Sequence, residues 1–123
     1  MNLDIYGQQV LAGWEDVFKK GQLTLWVLLA LKDGNKYMGD IRQFIYDATN
    51  GILVVDDKSL YRALRRYYEA ELTLVTTEPG DKGPERKVYS LSSTGRIVLN
   101  SFIERNVSSV FYKPTIKKLL EKE

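Results

Sequence analysis

A mainly α-helical domain carrying one small β-hairpin is what this sequence predicts, and three observations predict it. Three stretches of helical periodicity, residues 23–32, 37–49 and 57–71, succeed one another closely. Two β-prone runs, 72–77 and 86–91, come next, separated by Pro79-Gly80 and Gly83-Pro84, both strong turn signals. A long apolar helical stretch over 93–112 then closes the pattern.

Each element has its own justification. Over residues 4–19, Tyr6, Val10, Trp14, Val17 and Phe18 share one helical face, and Gly21 ends the helix. Such a leading helix packs on its own core or pairs with a second chain. The next helix, 23–32, is apolar nearly all round, which predicts burial on several sides. Asp33-Gly34-Asn35 makes a turn. Tyr37, Ile41, Phe44, Ile45 and Ala48 form the stripe of a third helix that Asn50-Gly51 terminates. Residues 52–55 read as a short strand or a connector.

The helix over 57–71 carries the most chemistry. Asp56 and Asp57 stand at its start, where a carboxylate caps free N–H groups and suits the helix dipole. Leu60, Leu64, Tyr67 and Tyr68 recur on one face, extended by Ala63 and Ala70. Lys58, Arg62, Arg65 and Arg66 share the opposite face, with no anion among residues 58–66. Tyr61 lies on the border, and Ser59 sits in the first turn. A solvated basic face is the plainer reading. The segment after this helix favours a surface for a polyanion: it is a hairpin whose mobile tip holds Asp81, Lys82 and Arg86, and whose returning strand opens with Arg86-Lys87. Ser92 is a candidate N-cap for the last long helix, Pro114 interrupts that helix, and Thr115 is a candidate cap for a short final segment.

Three helices, a hairpin and a further helix is the order of a winged helix-turn-helix. In that architecture the third helix enters the DNA major groove while the hairpin tip meets the backbone or minor groove. Lysines and arginines bond phosphates for affinity, and a few side chains read base edges. The chain then divides into an amphipathic helix at 1–21, a winged-helix DNA-binding domain at 22–92, and a dimerisation helix with its tail at 93–123. The DNA-facing set is Lys58, Ser59, Tyr61, Arg62, Arg65, Arg66, Lys82, Arg86 and Lys87.

Two stretches also resemble a known family, the PadR-like transcriptional regulators. Gly83-Pro84-Glu85-Arg86-Lys87-Val88-Tyr89-Ser90-Leu91-Ser92-Ser93-Thr94-Gly95 is similar to the family's wing pattern, G-x-x-R-K-x-Y-x-L-T-x-x-G. Leu60-Tyr61-Arg62-Ala63-Leu64-Arg65-Arg66 resembles its recognition-helix pattern, L-Y-R-A-L-K-R. The likeness spans about residues 22–105. Three departures stand out: Tyr37-Met38-Gly39-Asp40-Ile41 replaces H-G-Y-E-I, Glu71 replaces a glycine after the recognition helix, and a helix precedes Gly21.

The resemblance implies a homodimeric repressor on a pseudo-palindromic operator, with the C-terminal helix supplying the dimer contact. The apolar surface of 93–112 agrees with an interface, and we expect Val98, Phe102, Ile103, Val110, Phe111 and Trp14 to form it. Two-fold symmetry would set the half-sites ~34–36 Å apart. Some relatives sense hydrophobic or aromatic small molecules, so Trp14, Trp26 and Phe102 are the effector candidates, although core or interface filling is their plainer role.

Composition excludes other classes. The 123 residues, 44% hydrophobic and 28% charged, suit one globular domain. Cysteine and histidine are absent, which removes thiolate metal sites, disulfides, histidine triads and the commonest general base at neutral pH. Asp56 and Asp57 are adjacent and do not face each other on a helix. We expect no metal, no cofactor and no enzymatic activity, since the acids are scattered. No signal-peptide pattern opens the chain and no run approaches the ~20 apolar residues of a membrane span, so a cytoplasmic location is expected. Charge is uneven: residues 1–57 carry a net −3 and residues 58–123 a net +5, a pointer to a polyanion. The alternative is a winged-helix protein-interaction module without direct DNA binding, in which neighbouring acids would neutralise the Lys58–Arg66 face.

Overall fold

The computed structural model describes residues 3–121. The chain runs α1 (Ile5–Lys19), α2 (Leu23–Asp33), α3 (Met38–Ala48), α4 (Asp57–Glu69), β1 (Thr73–Glu78), β2 (Arg86–Leu91) and α5 (Ser93–Ile103). A π-helical turn, Glu104–Ser108, then leads into α6 (Ser109–Phe111) and α7 (Pro114–Leu120). This is the helical domain with one antiparallel hairpin that the sequence predicts, and its order is that of a winged helix.

The core lies between α2, α3, α4, β2 and α5. Val27, Leu28, Ala30 and Leu31 of α2 meet Ile41 and Ile45 of α3 and Leu60, Ala63 and Leu64 of α4. Tyr67, Tyr89 and Leu99 complete it. Two residues expected on the buried face of α4 are exposed: Tyr68, and Ala70, which caps the helix C-terminus. The core takes a narrower stripe of this helix than the full set of apolar residues offers. Ala48, at the end of α3, is exposed for the same reason. Residues 52–55 form a connector with no strand, its Leu53 and Val55 turned inward and Ile52 and Val54 outward.

Helix ends are set by local chemistry. The Asp56 carboxylate accepts from the Ser59 backbone N–H at 2.8 Å and from the Ser59 hydroxyl at 2.9 Å. These bonds, the backbone one foremost, hold its pKa below the ordinary carboxylate value. At the other end of α4, the Leu72 N–H donates to the Tyr67 carbonyl at 2.9 Å and the Glu71 N–H to the Tyr68 carbonyl at 3.0 Å. This is a Schellman closure, and it places Glu71 at φ +64°. The left-handed geometry therefore persists without the glycine that usually supplies it.

The hairpin is fixed at its base. Ser92 caps α5 by accepting from the Gly95 N–H at 2.9 Å, and its hydroxyl donates to the Glu71 carbonyl at 2.7 Å. A Cβ on Gly95 would lie 1.9 Å from the Leu72 carbonyl oxygen, so no other residue fits there without moving backbone. On the facing side, Lys36 and Tyr89 exchange both backbone hydrogen bonds, at 3.0 and 2.9 Å. The turn between α2 and α3 thus pairs with the hairpin.

The last long helix is not uniform. It widens into the π turn at 104–108, where Asn106 Nδ2 donates to the Phe102 carbonyl at 3.1 Å. Side-chain bonds of this kind compete with the α-helical ladder. Thr115 does not cap the final segment: Pro114 occupies the first helical position, where its missing N–H costs nothing, and Lys113 is the cap residue. Among the described residues, no helix is long and apolar enough to cross a membrane.

Substitutions at these helix ends have opposite expected effects on stability. Gly95→Ala should destabilise the fold by about 3 kcal/mol in denaturant unfolding, the upper range for overpacking, whereas Glu71→Gly should gain about 0.5–1 kcal/mol by relieving the left-handed backbone. Asp56 has a lowered folded pKa, so its cap is at full strength above the usual carboxylate range and is lost as pH falls through the folded value. Asp56→Asn keeps an acceptor that cannot titrate. The thermal midpoint of the wild type should therefore lose ground to that of Asp56→Asn below about pH 4.

Candidate nucleic-acid interface

Burial of Leu60, Ala63, Leu64 and Tyr67 turns the opposite face of α4 to solvent. Lys58, Arg62, Arg65 and Arg66 are all exposed there, and Tyr61 stands beside them, 46% exposed. Ser59 is half-buried, its hydroxyl committed to Asp56. Arg65 Nε lies 3.2 Å from Glu69 Oε1. Among the described residues, no carboxylate pairs with Lys58, Arg62 or Arg66. The neutralised face expected of a protein-interaction module is therefore not what α4 presents. An exposed (i, i+4) pair is worth about 0.3–0.5 kcal/mol. A charge-assisted bond to a phosphate is worth about 1.5–3 kcal/mol, so Glu69 would yield Arg65 to such a ligand.

The hairpin stands beside this face. Lys82 is exposed at its tip, and Arg86 and Lys87 are exposed where β2 begins. Lys87 Nζ lies 5.8 Å from the centre of the Tyr61 ring, which brings wing and helix cations onto one surface. Between them runs a groove of about 300 Å³ lined by Tyr61, Leu64, Arg65, Tyr68, Val75, Lys87 and Tyr89. Tyr89 forms its floor. Burial pushes the Tyr89 hydroxyl pKa up, as does the neighbouring Tyr61, so it stays neutral under the cations. The helix-turn-helix is braced by Arg42 Nε on Asp57 Oδ1 at 3.1 Å, which ties α3 to the start of α4.

Three tyrosines belong to this surface beyond those the sequence singles out. Tyr68, which periodicity assigns to the core side of α4, lines the groove, and Tyr89 lines it too while packing into the core. Tyr37, expected on the apolar stripe of α3, instead precedes that helix as its N-cap residue and lies under the Arg86 guanidinium. Their alternation with cations becomes visible only when helix and hairpin meet.

The apolar candidates separate into two groups. Val98, Phe102, Val110 and Phe111 are exposed, and Trp14 is 71% exposed on α1, which buries no residue at all. Ile103, expected beside them, packs in part against the core, one turn beyond Leu99. Trp14, Trp26 and Phe102 do not converge on one cavity. Phe102 lines an apolar cavity of about 110 Å³ with Thr24, Leu28, Val98 and others, and neither tryptophan reaches it. Trp26 packs on the core and donates its ring N–H to Gln22 Oε1 at 3.1 Å. Among the described residues, no cluster of acids could hold a metal ion.

The fold has many solved counterparts. A PadR-family transcriptional regulator from Eggerthella lenta superposes with a TM-score of 0.72 at 20% identity, covering 98% of this chain and 100% of that one. A PadR-like transcriptional regulator from Bacillus cereus superposes at 0.65 with 25% identity, over 85% of this chain and 96% of that one. PadR of Bacillus subtilis, solved in complex with operator DNA, superposes at 0.60 with 18% identity, over 66% of this chain and 46% of that one. No curated protein sequence matches this chain. The model of the PadR-like family of transcriptional regulators matches residues 27–101, more than half of the sequence. The match runs from the buried strip of α2 through α4 and the wing into α5, and on it this chain belongs to the PadR-like family of transcriptional regulators.

Proposed function

We propose that the protein binds a specific double-stranded operator as a homodimer and represses transcription from it in the cytoplasm. The observation that carries this reading is the cationic face of α4, exposed and largely free of its own acids, beside the wing cations. Lys58, Arg66, Lys82, Arg86 and Lys87 contact phosphates. Arg62 and Arg65, near the centre of the exposed face, reach base edges, where arginine pairs with guanine in a bidentate fashion. Ser59 and Tyr61 add short polar contacts. The complex of Bacillus subtilis PadR with operator DNA supports the choice of partner.

Dimerisation is supported by apolar side chains that stay exposed among the described residues. Tyr6, Trp14 and Phe18 of α1 and Val98, Phe102, Val110 and Phe111 toward the C-terminus are too many to leave in water. Lys32 Nζ holds Asn100 Oδ1 at 2.9 Å and so fixes α5 to α2. A second copy pairing on these faces would set two recognition helices at a defined separation. The effector of such a regulator is a small hydrophobic or aromatic molecule. The cavity at Phe102 supports this, because Thr24 on its wall shares a 2.8 Å hydrogen bond with the Tyr67 hydroxyl of α4.

Selection of bound fragments from random duplex DNA tests the whole reading, and should recover inverted half-sites. Binding to them should weaken steeply with salt, with a slope of about 0.9 per phosphate contacted. Arg62→Ala should cost about 1–3 kcal/mol of operator affinity while leaving thermal unfolding within about 0.5 kcal/mol of wild type. Salt-insensitive binding, or an Arg62→Ala protein that unfolds, would overturn it. Trp14→Asp and Phe111→Asp should each shift sedimentation from dimer toward monomer with helical content unchanged.

A further inference from the structure

Tyr37 lies outside both DNA-facing elements, yet it contacts the residues that frame the wing. The Arg86 guanidinium carbon sits 3.6 Å from the centre of the Tyr37 ring, a close cation–π stack. The Tyr37 hydroxyl donates to Glu78 Oε2 at 2.6 Å. Glu78 and Arg86 are themselves directly opposite across the hairpin, the last pair before its tip. Opposite charges at such positions attract one another, but among the described residues the two form no ion pair. Tyr37 stands between them, with its ring under the cation and its hydroxyl on the anion. One residue earlier, the backbone of Lys36 is paired with Tyr89, so the tyrosine is delivered from a fixed point. Tyr37, Tyr61, Glu85, Arg86 and Lys87 line one groove between the α2–α3 turn, α4 and the wing.

We propose that Tyr37 is a positioning residue for DNA binding: it occupies the Glu78 carboxylate and carries Arg86 on its ring, so that this arginine meets DNA un-neutralised and already aimed. Without the hydroxyl, Glu78 is free to turn to Arg86 across the hairpin, and each phosphate contact by Arg86 must then displace an internal partner. The bond to Glu78 also raises the Tyr37 pKa, which keeps the donor proton in place. The role rests on the DNA-binding reading above. It assigns to the α2–α3 turn a part in wing presentation that no DNA contact of its own would reveal.

The test is a double-mutant cycle on the full chain, read by operator affinity and its salt dependence. Tyr37→Phe keeps the ring and the fold, and should weaken binding about threefold, the scale of a competing exposed ion pair. Its salt slope should fall, because Arg86 then engages phosphate less often. Adding Glu78→Gln to Tyr37→Phe should restore both, and by a larger factor than Glu78→Gln raises the affinity of the wild type. Equal gains from Glu78→Gln in the two backgrounds, or a Tyr37→Phe protein with wild-type affinity and slope, would overturn the positioning role and leave DNA binding intact. A wild-type protein that retains no duplex at low salt would overturn both readings together.

Discussion

Everything on the functional surface depends on which face of α4 is buried. Fully burying Leu60 and Leu64 contributes about 1.5–3 kcal/mol each. The exposed pair of Arg65 and Glu69 contributes about 0.3–0.5 kcal/mol. Packing therefore sets the rotation of the helix, and the charges are carried along with it. Because Leu60, Ala63, Leu64 and Tyr67 must face α2 and α3, Lys58, Arg62, Arg65 and Arg66 have nowhere to point but outward. A core constraint thus creates the cationic surface.

The wing is held to that helix by backbone bonds and by the Ser92 side chain. Glu71 adopts a left-handed conformation to close α4, and the chain turns directly into β1. Ser92 bonds back to the Glu71 carbonyl, and Gly95 lets α5 begin against the Leu72 carbonyl. These contacts fix where the hairpin leaves the domain. The pairing of Lys36 with Tyr89 fixes it from the other side. Among the described residues, the tip beyond Glu78 and Arg86 shows no such backbone bonds.

The remaining surface has a different character. The exposed aromatic and aliphatic side chains of α1 and of the helices after Leu99 are far apart in sequence yet alike in composition. The cavity at Phe102 lies under the same C-terminal helix, and its Thr24 is bonded to Tyr67 of α4. A single side-chain hydrogen bond thus links the cavity wall to α4.

Much of this was legible in the chain itself. Apolar spacing at three to four residues named the helices, and Pro79-Gly80 and Gly83-Pro84 named the hairpin. The resemblance of residues 60–66 and 83–95 to known patterns pointed to the family. These signals are local, because caps, turns and amphipathic faces depend on neighbours within a turn or two of helix. Tertiary structure alone decided that Tyr68 and Ala70 stay outside the core, that Ile103 turns partly inward, and that Tyr37 leaves its expected stripe to lie beneath Arg86. It also decided the π turn after Ile103 and the separation of the aromatic residues around Phe102. Periodicity reports which side chains share a face. How wide a strip the core will accept, and which distant residue meets an exposed ring, depend on elements that are far apart in sequence and adjacent only once folded.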